Sequence, residues 1–126
     1  MGTNDIRREV GADELIAGTK NIITRVKAKG MKVIGVTIIP RHNREPAQDN
    51  TGWEDAKTKI RNQVNEWIRT AAGFDSVIDF DKVVRSPADP NLMSPAYNCG
   101  DGIHPSPIGY FQMGKSVDLG LFLGKR

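Results

Sequence analysis

The sequence holds a single cysteine, Cys99, in 126 residues, so no internal disulfide can form. One thiol and two histidines also leave too few soft ligands for a structural zinc or iron-sulfur centre, and neither a metal nor an organic cofactor is expected. Nowhere does the chain approach the roughly 18 consecutive apolar residues that a membrane-spanning helix needs. No membrane association is expected. The opening, Met1-Gly2-Thr3-Asn4-Asp5, has no basic region followed by an apolar run, which excludes it as a secretory signal. As written, the chain is expected to stay where it is made, and the sequence leaves that compartment open. Aromatic residues make up 6% of the chain, and the net charge of +3 is spread over many segments, with small clusters at Arg7-Arg8 and from Arg41 to Arg44. A nucleic-acid reader would carry a dense basic stripe with interleaved aromatics or a recognisable module, and neither is present. Repeats and low-complexity tracts are absent too.

What is there reads as one small domain over residues 1–126, long enough for a single core. A mean hydropathy of −0.43 and an apolar share of 38% fit a water-soluble globular chain. From Asp13 to Lys29, Leu15, Ile16, Ile22, Ile23 and Val26 recur at helical spacing, and Gly30 follows as a natural C-terminal stop. Val33 to Ile39 is nearly continuous and β-branched, which predicts a strand buried on both faces, ended by Pro40. Residues 41–51 are polar and read as a loop. Thr51 with Glu54 fits a capping box, after which Trp53, Ala56, Ile60, Val64, Trp67, Ile68 and Ala71 mark one face of a second helix ending at Gly73. Both tryptophans are expected in the core. A short strand, Ser76 to Phe80, precedes an irregular connection marked by Pro87, Pro90 and Pro95, and Pro107 opens a last helix toward Leu121. Helix, strand, helix, strand, helix predicts an α/β fold with parallel strands, a partial flavodoxin-like three-layer α/β/α sandwich. Only two strands are visible, and Gly2 to Asp5 reads as a turn with no strand before it.

Two segments at opposite ends carry the chemistry. Asp101-Gly102-Ile103-His104-Pro105-Ser106 sets a carboxylate three residues before a histidine. Histidine changes charge closest to neutral pH, and a carboxylate on its other ring nitrogen fixes the tautomer and stabilises the imidazolium. At the other end stands Gly2-Thr3-Asn4-Asp5, whose Asn-Asp is by itself also a common turn pair. Both segments, with the element order between them, resemble the GDSL or SGNH family of serine ester hydrolases, and the resemblance runs over essentially the whole chain. It implies the C-terminal part of an SGNH hydrolase domain, a carboxylic ester hydrolase of esterase or lipase type acting on a small ester. It also implies catalytic roles for His104 as general base, Asp101 as its orienting carboxylate, and Asn4 as an oxyanion donor.

The departures matter as much. Members of that family open with a Gly-Asp-Ser block that supplies the nucleophile, and a second block whose glycine is another oxyanion donor. Neither occurs here, and Gly100-Asp101-Gly102 is the nearest string. The chain alone is therefore expected to be weak or inactive, and either to form a homodimer or to pair with the N-terminal half it lacks. Two alternatives stay open: a non-catalytic oligomerising module of the same fold, and a hydrolase with a substitute nucleophile such as Cys99, five residues before His104, or Ser94. Ser106 reads instead as a helix cap, His42 as an exposed loop histidine, and Asp79 and Asp81 as capping or turn residues. A plainer reading of Asp101 and His104, as a cap for the last helix, competes with the triad reading.

Overall fold

The computed structural model describes residues 2–41 and 53–122. The expected capping box at Thr51 and the loop histidine His42 lie outside the described residues. Five α-helices and two strands follow in order among those described: α1 (Thr3–Arg7), α2 (Ala12–Lys27), β1 (Ile34–Val36), α3 (Asp55–Thr70), β2 (Ser76–Ile78), α4 (Phe80–Val84) and α5 (Pro107–Lys115), with short 3-10 turns at Pro95–Tyr97 and Leu119–Leu121. The strands pair in parallel, Ile34 with Ser76, Gly35 with Val77 and Val36 with Ile78, joined by the crossover through α3. That is the mixed α/β class the sequence predicts.

Local chemistry accounts for most of the boundaries. Helix α2 stops where Gly30 takes φ +71, a left-handed conformation that lets the Met31 amide reach back to the Val26 carbonyl at 3.4 Å. Helix α5 begins at Pro107 with Ser106 as its cap, the hydroxyl accepting from the Gly109 amide at 3.2 Å, as expected. It is shorter than predicted, ending at Lys115, with a 3-10 turn carrying the chain on to Leu121.

Two differences have clear causes. Gly2 to Asp5 is not a free turn but the start of α1: Gly2 adopts φ +102, and its amide donates to Asp5 Oδ2 at 3.0 Å, which satisfies an otherwise orphaned donor. Strand β1 is much shorter than Val33 to Ile39. The Thr37 amide still reaches the Ile78 carbonyl at 3.2 Å, but at Ile38 a side chain takes over. Asn65 of α3 accepts from the Ile38 amide at 2.7 Å and donates to its carbonyl at 2.8 Å, standing in for the next strand residue.

The core gathers Ile6, Ala12, Ile38, Trp53, Val64 and Ile68, with Trp67 and Phe74 packed edge to face beside it at 6.1 Å. Helix α3 packs against both α1 and α2, whereas α5 packs on α4 and the Pro95–Tyr97 turn. The first arrangement fixes Asn4 near the end of β1. The second carries the segment containing Asp101 and His104.

Candidate active site

The segment from Asn98 to Ser106 is stapled at its base. Asn98 and Pro105 form an antiparallel bridge, the Cys99 amide donates to the His104 carbonyl at 3.0 Å, and the Ser106 amide donates to the Tyr97 carbonyl at 2.6 Å. Inside this loop the Asn98 carboxamide oxygen accepts from the Gly100 and Gly102 amides at 2.8 and 3.1 Å. Both glycines hold positive φ, 109° and 71°, which other residues adopt only under strain. The tight turn folds Asp101 back onto His104.

One carboxylate oxygen of Asp101 accepts from the backbone amides of Ile103 and His104 at 2.7 and 2.8 Å, and the other lies 2.6 Å from His104 Nδ1. Burial alone would raise the Asp101 pKa. The hydrogen bonds from the His104 ring and amide, the Ile103 amide and the Cys99 thiol outweigh it and hold the carboxyl well below the usual carboxylate range. Asp101 is thus an anion that fixes the imidazole through Nδ1. Nε2 is left as the ring's reactive position, on a side chain 65% exposed. The cap of α5 is Ser106, while Asp101 caps its own turn through the Ile103 and His104 amides.

Asn4 lies on the exposed side of α1, and it is the family resemblance that expects it beside Asp101 and His104. Arg41 connects them. This residue follows Pro40 beyond β1, is buried to 7% exposure, and donates through Nη1 to Asn4 Oδ1 at 3.3 Å. Burial lowers its pKa most, the nearby Arg7 lowers it further, and the Asp101 carboxylate raises it, so Arg41 stands within electrostatic reach of Asp101 as well. Its guanidinium also lies over the Trp53 ring, 5.5 Å from the centroid. Arg41 counted in the sequence only as one of several basic residues. Its position directly after a strand-ending proline, where open α/β sheets place their sites, was the available signal.

Cys99 is exposed, and its sulfur, an Asp101 oxygen and a His104 nitrogen lie within 4.8 Å of one another, a set that could offer three ligands to a cation. Asp101, however, already spends both oxygens on hydrogen bonds, one of them on the His104 ring. The geometry serves orientation of the imidazole. Ser94 precedes the Pro95–Tyr97 turn, and its amide donates to the Val84 carbonyl at 2.8 Å.

Sequence reasoning missed an ion network at the ends of the two strands. Arg61, 1% exposed, pairs with Asp81 and donates to the Ile38 carbonyl at 3.2 Å. Arg69 bridges Asp79 at 2.8 Å and Asp81 at 2.7 Å, and the Thr37 hydroxyl donates to Asp79 while accepting from the Asp81 amide. Asp79 does cap α4, accepting from Lys82, but Asp81 is a buried counter-ion and not a turn residue. The network ties the ends of β1 and β2 to α3.

The family model of GDSL-like lipases and acylhydrolases matches residues 1–111. Among solved structures, a Streptococcus pneumonia protein named for platelet activating factor is similar in fold, with a TM-score of 0.71 at 24% identity. The alignment covers 90% of this chain and 53% of that one, so the chain spans about half the length of the solved relative. No curated protein matches the sequence.

Proposed function

Because the chain belongs to the GDSL-like lipase/acylhydrolase family, we propose that it carries the acid-base half of a carboxylic ester hydrolase site of esterase or lipase type. In this reading His104 is the general base, Asp101 orients it, Asn4 donates to the oxyanion, and polypeptide outside these 126 residues furnishes the serine, since no Gly-Asp-Ser occurs in them. The observation that carries it is the 2.6 Å contact between Asp101 Oδ2 and His104 Nδ1, with the carboxyl held ionised.

The chemistry follows from the geometry. An anion on Nδ1 keeps that proton in place, so Nε2 has its lone pair free to take the proton of an attacking hydroxyl. As serine oxygen bonds to the ester carbonyl, the π electrons move to the carbonyl oxygen, where amide donors stabilise the charge. Collapse of that intermediate breaks the ester C–O bond, and the imidazolium returns its proton to the departing alcohol. Water then repeats the sequence on the acyl-enzyme and releases the acid. Without the serine, His104 can still activate water directly, which forgoes covalent catalysis and leaves a slow reaction.

A second reading is favoured by one observation. The Cys99 sulfur lies within 4.8 Å of an Asp101 oxygen and a His104 ring nitrogen, so a thiolate nucleophile stands close to the base. The test is hydrolysis of p-nitrophenyl acetate by the purified chain. Slow, His104-dependent release that survives Cys99→Ser supports the first reading, and loss of that release in Cys99→Ser supports the second. Release unaffected by His104→Gln would sink both.

A further inference from the structure

A buried cation needs a reason, and Arg41 has neighbours that supply one. Its guanidinium is stacked on Trp53 at 5.5 Å, 7% exposed, and directs Nη1 at Asn4 Oδ1 at 3.3 Å. A guanidinium has five N–H donors and no acceptor, so the atom of the Asn4 amide that faces it must be the oxygen. The amide nitrogen, with both of its hydrogens, is therefore turned away from Arg41. That distinction matters at an oxyanion site. An unrestrained carboxamide can present either end, and its oxygen would repel the negative charge that its nitrogen stabilises.

We propose that Arg41 is a positioning residue for Asn4: it holds the side-chain amide with its nitrogen free to donate, and adds buried positive charge beside the place where the oxyanion forms. The placement rests on the reading of Asn4 as oxyanion donor given above. Arg7 carries a like charge close enough to act on Arg41, and Asp101 carries the opposing one. A lysine at position 41 would keep the charge but lose the planar fork that selects the amide oxygen.

The experiment uses the full chain, labelled with 15N and 13C at asparagine. The Asn4 side-chain signals are assigned by their loss in Asn4→Asp. In Arg41→Gln the Asn4 carbonyl carbon and amide protons are expected to move toward free-asparagine positions, with partial return in Arg41→Lys, while the Asn65 side-chain signals stay put and report an intact core. In parallel, His104-dependent hydrolysis of p-nitrophenyl acetate should fall roughly ten- to a hundredfold in Arg41→Gln with KM little changed. The double variant Asn4→Ala/Arg41→Gln should be no slower than Asn4→Ala alone, since residues acting as one unit are not additive. Unmoved Asn4 signals in Arg41→Gln would overturn the positioning role whatever the rates. Moved signals together with an Asn4→Ala rate equal to the parent would overturn the oxyanion reading of Asn4, and the catalytic meaning of the placement with it.

Discussion

Among single residues, those legible in the sequence were the ones whose partners are close in the chain. Asp101 meets His104 across three positions, Ser106 caps its own helix, and Asp79 caps α4 through Lys82. Such pairs follow from turn and cap geometry alone. Arg61 and Arg69 were not legible, because an arginine on an amphipathic helix reads as solvated surface until its partner, 20 or 12 residues on, is known to fold beneath it. The network has a pH signature. Burial would raise the Asp79 pKa, but hydrogen bonds from Arg69, the Lys82 amide and Thr37 lower it to about 2. A carboxyl whose folded pKa lies below its unfolded value near 3.9 stabilises the fold above that value and loses the contribution as pH falls from there toward 2. In urea unfolding, Asp79→Asn should therefore cost about 2 kcal/mol at pH 6, with the gap to the parent narrowing to roughly a third of that by pH 2.5. A gap that is constant across that range would assign the loss to packing instead.

At the scale of elements, the helices were legible and the strand lengths were not. Periodicity marks an amphipathic helix along its whole length, but a ladder ends where its hydrogen bonds are taken elsewhere, and Asn65 from α3 does that to Ile38. The five-residue α1 and α4 escaped, Phe80 being read as the end of β2, because helices so short have no period to read. The long connection after β2 read as irregular, and its use became clear only from the contacts: it lays Tyr97 against α5. A Cβ added at Gly109 would lie 2.5 Å from the Tyr97 carbonyl oxygen and 3.0 Å from Pro105 Cβ, so α5 would have to leave the staple that holds Asp101 and His104. Gly109→Ala is expected to destabilise by about 1–3 kcal/mol, as overpacking does, and to loosen the Asp101–His104 pair. Gly114, on the same helix, has nothing within 4 Å of a built Cβ. Replacing it with alanine should be neutral or stabilise by up to about 1 kcal/mol through helix propensity. Thermal unfolding of the two variants side by side checks this, and equal shifts would mean that the Tyr97 contact does not constrain α5.

For the whole molecule, the apolar surface left open points to association. Val36 on β1 is 43% exposed, although a strand this apolar reads as covered on both faces, and Ile22, which lines the same cavity, is 42% exposed. That cavity, of about 310 Å³, opens between α2, β1 and α3, lined also by Leu15, Ile23, Ile34, Val64 and Phe74. Around α5, Ile108, Phe111, Leu119 and Phe122 are each at least 60% exposed. Apolar surface that gathers into contiguous patches marks interaction sites in folded proteins, and a two-stranded sheet is marginal by itself. The exposed residues therefore predict self-association of this chain. Light scattering coupled to size exclusion should give a mass above 13.9 kDa at micromolar concentration, falling on dilution. Val36→Lys, which sets a charge on the open face of β1 while leaving the buried Gly35 and Thr37 in place, should shift the population toward monomer. A compact, cooperatively unfolding monomer of the parent chain at micromolar concentration would show that α2, α3 and a two-stranded sheet suffice as a core. In that event the open face of β1 carries no partner of its own kind.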